Sequence, residues 1–469
     1  MSSPSADAGA AAVTAALAAR LPVLLATTGA SRLVVAWSGG LDSSVLLVAC
    51  TEWARGAGCA VHAVHVDHAL DPASAAWAQH CLHEAAGRGI TCTVERLAQR
   101  PRPGVSVEAW ARTARYRALA AHIDRGSLLL TAHHADDQAE TVLGRLLAGA
   151  GPHGLAGIAA VRPCGEGHLA RPLLAVARAA LVAYAGAHGL DWVDDPSNRD
   201  TRHPRNRLRL EVLPVLAQGW PGAVANLGRV AGLQGAVAGF IDDTVDALLD
   251  AQALPAHQLA VASLVTAAPA LQAFVLKRWL RRAGAPTPGW RVLAAIEREV
   301  LAARVDATPC VGYAGCAIRR YADCLYVMAP VAVTLPVTPL GWDGSGVLEL
   351  GCGRLRLVPS AGAGGIAVDA LARGALTIGF RRGGERCRPS GHAHRPPLKK
   401  LWQTWRVPPW ERALTPLLFI DGALAAVGTH CVCDGFAAAP GQAGRKLEWQ
   451  LELYSPAALA AARARSEVG

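Results

Sequence analysis

Short apolar segments alternate with helical stretches through the first 215 residues of the chain, and this rhythm restricts the fold more than any other feature. Arg32 to Trp37, Ala60 to Val66, Thr91 to Leu97 and Ser127 to Thr131 read as strands. Ser43 to Glu52, Ala73 to Arg88, Val107 to Ile123 and Gln138 to Ala148 read as the intervening helices. Strands separated by helices predict a parallel sheet with right-handed crossovers. Ligands of such sheets bind at the carboxyl ends of the strands. The polar clusters of this sequence fall at those ends.

The sharpest of them is Ser38-Gly39-Gly40-Leu41-Asp42-Ser43-Ser44, between the first strand and its helix. Two glycines let the backbone turn tightly and approach a ligand without a Cβ in the way. Amides at the following helix start form an anion site, and the hydroxyls of Ser38, Ser43 and Ser44 add donors. No Lys follows the glycines, so this is not a GxxxxGK loop. Asp42 beside phosphates implies a cation between them, and Mg²⁺ takes carboxylate and phosphate oxygens together. The plainer alternative is a Gly-Gly turn with Asp42 or Ser43 capping a helix.

His65 and His68 close the second strand, where they are either loop residues or nucleotide contacts. His133-His134-Ala135-Asp136-Asp137-Gln138-Ala139-Glu140 follows the fourth strand. Asp137 and Glu140 are spaced as a capping box. Alternatively His133, Asp137 and Glu140 converge on a nucleotide as base, metal ligand and holder of an ammonium group. Carboxylates there suit a hard cation better than zinc. Glu108, Arg112 and Arg115 share one helix face, which by itself is a solvated ion-pair row. Five Arg lie between Arg199 and Arg209, in a Pro-interrupted loop that runs into a helix. It is either solvated or turned toward phosphates.

From Leu216 to Ala303 the pattern is helical, and from Cys310 to Pro359 it reads as β-hairpins. Ser360 to Gly365 reads as a linker. The 469 residues are 52% hydrophobic, which excludes wholesale disorder. No run of eighteen apolar residues free of charge, Gly and Pro occurs, so no membrane association is expected. The net charge of +10 favours a polyanionic partner. Arg373, Arg381, Arg382, Arg386, Arg388, Arg395, Lys399, Lys400, Arg406 and Arg412 crowd the C-terminal part, with Trp402, Trp405 and Trp410 among them. That pattern suits RNA phosphates and bases, unless the tryptophans serve a small core. Twelve Cys with one CxC, Cys431 and Cys433, and no CxxC argue against a zinc ribbon or a thioredoxin-like pair. Reduced thiols in the cytoplasm are expected.

The loop at Ser38 resembles the pyrophosphate loop of the N-type ATP pyrophosphatases. The wider set of segments resembles the tRNA(Ile)-lysidine synthetases. These are SGGLDSS from Ser38, VHVDHAL from Val64, VEAWARTARY from Val107, AHHADDQAETVL from Ala132, RPLL from Arg171, WVDDPSN with PRNRLRLEVLPVL from Trp192, RRGGERCRPSG from Arg381 and LKKLWQTWRVPPWER from Leu398. The resemblance implies an α/β fold of the adenine nucleotide α-hydrolase kind, with a Rossmann-like N-terminal sheet at 1–215. A mainly helical middle domain at 216–330 and a small basic α+β C-terminal domain at 331–469, with its core near 370–450, would follow. It implies that ATP adenylates C2 of the wobble cytidine in tRNA(Ile) with a CAU anticodon. Free L-lysine then displaces AMP. Asp42, Arg112, His133, Asp137, Glu140 and Arg205 are the implied catalytic residues. Ser38, Gly39, Gly40, Leu41, Asp42, Ser43, Ser44 and His68 would bind ATP, and Asp42 and Asp137 Mg²⁺. Another tRNA-modifying pyrophosphatase, such as a thiolase, an ammonia-using ligase and an RNA-binding protein with a decayed nucleotide site are the alternatives. A homodimer is compatible with all of them.

Overall fold

The computed structural model describes residues 4–98, 107–195, 200–304, 307–329, 335–360 and 364–466. Pro196 to Arg199, within the arginine-bearing loop, lie outside them. The chain divides into two compact units, residues 1–240 and 241–469.

The first unit begins with α1 (Pro4–Thr28), β1 (Arg32–Ala36), α2 (Leu41–Ala57), β2 (Ala60–Asp67), α3 (Ser74–Gly87) and β3 (Thr91–Arg96). It continues with α4 (Val107–Ala120), β4 (Ser127–Leu130), α5 (Ala135–Leu147), α6 (Pro152–Leu155), β5 (Val161–Cys164), β6 (Gly167–Ala170) and α7 (Arg178–Ala187). α8 (Pro204–Arg207), a π-helical turn at Leu208–Val212, α9 (Leu213–Gly219) and the long α10 (Ala223–Asp250) follow. The six strands lie in the order β3-β2-β1-β4-β6-β5. β1 pairs in parallel with both β2 and β4, and β6 is parallel to β4. The parallel sheet expected from the alternation is therefore present. It carries one addition, because β5 turns back on β6 as an antiparallel hairpin. Strand order reverses at β1, so the loops after β1 and β4 flank a topological switch point. The central strands are apolar throughout: Leu33, Val34, Val35, Leu128, Leu129 and Leu130 are all buried, as strands covered on both faces require.

Among the described residues, two helices are long and apolar enough to cross a membrane by length and composition, Ala8–Thr28 and Ala223–Asp250. The sequence criterion missed both because it stopped at every Gly, Pro or charge. Each has another use. α1 buries Val13, Leu17 and Leu21 in the core that it shares with α7. The end of α10, from Ile241 onward, belongs to the second unit; it carries Asp242, Asp246 and Asp250 at four-residue spacing, and these face Arg278, Arg281 and Arg282 of the same unit. Arg278 lies 3.2 Å from Asp242 and 2.5 Å from Asp246.

The second unit opens with β7 (Gln258–Ala260), α11 (Val261–Thr266), α12 (Pro269–Arg282) and α13 (Trp290–Ala295). β8 (Cys310–Tyr313), β9 (Cys316–Tyr321) and β10 (Cys324–Met328) complete a sheet in the order β7-β10-β9-β8. β7 thus places a strand inside a stretch whose spacing predicts only helix. Its three residues are too few for a periodic signal and are fixed by pairing with β10. Then come β11 (Leu340–Trp342), β12 (Val347–Leu350), β13 (Gly353–Ser360), β14 (Ile366–Ala367), α14 (Val368–Leu371) and β15 (Leu376–Gly379). α15 (Leu398–Thr404), α16 (Pro409–Arg412), β16 (Leu417–Ile420), β17 (Ala423–Val427), β18 (Cys431–Val432), β19 (Gly444–Leu451) and α17 (Pro456–Ser466) close the chain.

The stretch from Ser360 to Gly365 does not separate domains. Ser360 ends β13, and both β13 and β14 pair with β19. Residues 361–363 lie outside the described set. The Gly-rich composition serves a connection between two strands of one sheet. Leu459 and Ala462 of α17 are buried with Leu276, Trp279 and Ile318 in the core near α12.

Candidate active site

The loop after β1 is braced from beneath by its own hydroxyls. The Ser38 amide donates to Ser43 Oγ at 3.1 Å, and the Ser43 hydroxyl donates to the Gly40 carbonyl at 3.0 Å. The Ser38 and Ser43 oxygens are 2.9 Å apart. Trp37 Nε1 donates to Ser44 Oγ at 2.9 Å. Leu41, Ser43 and Ser44 are buried. The hydroxyls of Ser43 and Ser44, expected to meet phosphate, are instead spent on the loop itself. The helix-start amides remain as the anion-binding groups. Gly39 has φ of +81°, and a Cβ there would stand 3.0 Å from Cys81 Sγ. Glycine satisfies both constraints at once.

Across the switch point, α5 begins at Ala135, with His134 as its N-cap. Asp137 is the N3 residue, and its Oδ2 accepts the His134 amide at 3.0 Å. The expected capping box from Asp137 to Glu140 is therefore shifted three residues toward the N-terminus. The Ala135 amide donates to the Val176 carbonyl at 2.9 Å, and this tertiary bond sets where the helix starts.

His134 is fully buried among three carboxylates. Its Nε2 lies 3.5 Å from Asp42 and 3.4 Å from Asp137, and its Nδ1 lies 3.5 Å from Asp136. These are close charge contacts that fall short of aligned hydrogen bonds, and neither ring nitrogen has a better partner. Burial disfavours the imidazolium. The attraction of Asp136, Asp42 and Asp137 outweighs it and pushes the pKa up to about 9. The other oxygen of Asp42, Oδ1, is buried with no hydrogen-bond partner. Arg178 Nε stands 4.0 Å from it, and a carboxylate oxygen with no hydrogen bond beside an anion loop fits a hard cation.

His133 behaves oppositely. Burial holds its pKa below the ordinary range, and the charges of Arg171, Arg205 and Arg112 add to this against the pull of Asp137. Its Nδ1 is 3.0 Å from Thr131 Oγ1. Adjacent histidines thus differ because burial disfavours the charged form of both, and only His134 has three carboxylates to offset it. Arg112 and Arg162 lie over the Tyr116 ring at 5.3 and 4.7 Å, with Arg115 at 6.0 Å. Buried Arg171 donates to the Ala159 carbonyl at 2.5 Å. Such a group of guanidiniums is a positive floor for an anionic substrate.

Glu140, also buried, accepts from Arg205 Nε at 2.7 Å and Arg209 Nε at 2.6 Å, one on each oxygen. Asp137 Oδ1 accepts from the same two side chains, at 2.6 and 3.0 Å. Both oxygens of Glu140 and both of Asp137 are therefore engaged by protein donors. His68, at the end of β2, has a buried Nδ1 without a partner. Burial and the nearby Arg115 hold its pKa below the ordinary range. Glu108 lies 4.0 Å from His203.

The sequence reading named Asp42, Arg112, His133, Asp137, Glu140 and Arg205, and the charges of all but Glu140 and Asp42 meet around His133. It missed Arg209, His134 and Arg171. The four-residue step from Arg205 to Arg209, matched to the three-residue step from Asp137 to Glu140, was the available signal for Arg209.

A sheet that reverses order at β1, with a Gly-Gly anion loop there and an orphaned carboxylate beside it, defines an ATP-using enzyme of the PP-loop class. Residues 13–216 match the family profile of the PP-loop domain. Residues 259–326 match the TilS substrate binding domain, and 376–449 the TilS substrate C-terminal domain. The tRNA(Ile)-lysidine synthase of Methylococcus capsulatus is 40% identical over 422 residues, covering 88% of this chain and 95% of that one. Those of Alkalilimnicola ehrlichii and Coxiella burnetii are 40% and 35% identical, over 88% and 93% of this chain and 92% and 96% of theirs. The chain belongs to the tRNA(Ile)-lysidine synthase family.

Proposed function

We propose that this chain ligates free L-lysine to C2 of the wobble cytidine of tRNA(Ile) bearing a CAU anticodon, consuming ATP and releasing AMP and pyrophosphate. The observation that carries this reading is the pairing across the switch point of the Ser38–Ser44 loop with the His133–Glu140 segment. One offers amides and an orphaned carboxylate, and the other a neutral imidazole beside arginines. Kinship over nearly the full length of curated lysidine synthases supplies the substrate.

In this reading the amides at the start of α2 hold the β- and γ-phosphates, and His68 faces the nucleotide. Asp42 would hold Mg²⁺, which offsets phosphate charge when bound; Asp137, expected as a second ligand, has its oxygens taken by Arg205, Arg209 and the His134 amide and does not fit that role. Arg112 and Arg205 stabilise the charge that develops as the cytosine oxygen is adenylated and AMP later leaves. His133 is kept neutral, so its imidazole can accept the proton that the lysine amine loses during attack. We assign Glu140 and Asp137 the positioning of Arg205 and Arg209, in place of the direct hold on the lysine ammonium that the sequence suggested for Glu140. Action in the cytoplasm, where ATP and tRNA meet, fits twelve free cysteines.

Incorporation of labelled lysine tests the reaction. With ATP and Mg²⁺, label is expected in an isoleucine tRNA carrying CAU and absent from the same tRNA with U at the wobble position. Pyrophosphate release without label in either tRNA would move the chain to a different chemistry.

The C-terminal part is assigned to tRNA contact. Arg381, Arg382, Arg386, Arg388, Arg395, Lys399 and Lys400 are exposed there. The tryptophans contribute less than the sequence suggested. Trp402 is fully buried, and Trp410 donates to Tyr454 Oη at 2.9 Å. Trp405 stacks on His430. Phosphate contact by side chains, with little base stacking, should dominate. Each contact contributes a slope of about −0.7 in log affinity against log salt, so four contacts give about −3. A filter-binding titration from low to high salt checks this, and a slope near zero would remove the assignment.

A further inference from the structure

We propose that Cys387, Cys431 and Cys433 bind a single soft divalent cation, zinc by preference, which fastens the arginine-bearing segment around Cys387 to the β17–β18 edge. The sulfurs of Cys387 and Cys431 are 3.6 Å apart, and all three sulfurs lie within 4.8 Å of one another. Tetrahedral zinc with zinc–sulfur bonds of about 2.3 Å places its thiolates about 3.8 Å apart. The observed spacing is that of ligands around one ion. A cubane iron–sulfur cluster takes each thiolate on a different iron and needs the sulfurs further apart. A hard cation is excluded by the ligand type, since thiolates select zinc and its neighbours. A disulfide between any two would need their sulfurs to close to about 2.05 Å and would strand the third.

The backbone holds this arrangement without help from the sulfurs. Cys431 and Cys433 are two residues apart in extended chain, so both side chains project to one side. Cys433 bridges to Pro389, and its amide donates to the Ala425 carbonyl at 2.8 Å. The Ser390 amide donates to Val432 at 3.0 Å and the Asp434 amide to Arg388 at 2.7 Å. Within its own segment the Cys387 amide donates to Pro396 at 3.2 Å. Two segments separated by more than 40 residues are thus tied together beside the sulfurs, through residues 388–390 and 432–434. Cys387 and Cys433 are buried against Leu398, Trp402 and Val427, while Cys431 is half-buried. The open side of Cys431 leaves a fourth position, which water completes.

Metal analysis of the full-length protein, purified without an affinity metal and dialysed against metal-free buffer, tests this. About one zinc per chain is expected in the wild type. Cys431→Ser, at the half-buried corner, should fall below about a tenth of that, and Cys59→Ser, far off in the other unit's sequence, should keep it. Chelator-stripped wild type should take up Co²⁺ with the intense visible bands of a tetrahedral thiolate site, bleached by added Zn²⁺. Less than a tenth of an equivalent of zinc in the wild type, with no such cobalt spectrum, would overturn the proposal. So would zinc retained in Cys431→Ser, or a Cys387–Cys431 disulfide found by mass spectrometry of alkylated, freshly purified protein. If stripped protein precipitates, the zinc content of the untreated chain still decides.

Discussion

Asp42→Asn is expected to lower ATP-dependent pyrophosphate release at least about a hundredfold, about 2.7 kcal/mol of transition-state stabilisation. The substitution keeps the shape of the side chain and removes only its charge. Oδ1 of Asp42 is buried without a hydrogen-bond partner, with a 4.0 Å ion-pair contact to Arg178 Nε, so it gives the folded protein no hydrogen bond to lose. Oδ2 is one of three carboxylate contacts of His134, and Asp136 and Asp137 remain in place. Stability should therefore change little while activity collapses. The discriminating measurement is pyrophosphate release across a Mg²⁺ titration, run beside a thermal melt. A variant that regains the wild-type rate at ordinary Mg²⁺ would show that Asp42 caps a helix and does no more.

Glu140→Gln is expected to behave in the opposite way, costing about 3 kcal/mol of folding stability. Its carboxylate is buried and divides its oxygens between Arg205 and Arg209. Neutralising it leaves two guanidiniums sharing the single charge of Asp137. Removing one partner of a buried ion cluster strands the charges that remain. Urea unfolding of the first unit's signal measures the cost, and lysine dependence of turnover separates the roles. Lost stability with an unchanged KM for lysine supports the positioning role. Unchanged stability with a sharply raised KM for lysine would restore the direct hold on the ammonium group and sink the positioning role.

Much of the catalytic unit was legible because its signals are local. A strand, a Gly-Gly turn and a helix start follow one another within a dozen residues, and the sheet order then brings the His133 segment opposite. What stayed hidden depends on contacts distant in sequence. Arg209 is 69 residues from Glu140, and its four-residue step from Arg205 becomes meaningful only once the fold brings both opposite Asp137 and Glu140. In His134-Ala-Asp-Asp-Gln-Ala-Glu140 two capping registers are available by spacing. The bond from Ala135 to Val176 selects one of them. The CxC at Cys431 reads as inert until the fold supplies Cys387. The tryptophans of the basic region fit base stacking or a small core equally well by composition, and only burial assigns Trp402 to the core.

The placement of β19 has a consequence for synthesis on the ribosome. The strand lies between β13 and β14, and α17 just beyond it fills the core near α12. The core that takes Leu447 and the core that takes Leu459 must therefore wait for these segments to emerge before they can close. The first unit meets no such delay, since all its strands are made by Ala170. Translation should release a nucleotide site already formed, followed by some two hundred residues of nascent chain still exposed to chaperones. A premature stop before β19 would leave the second unit without its pairing strand and mark the product for degradation.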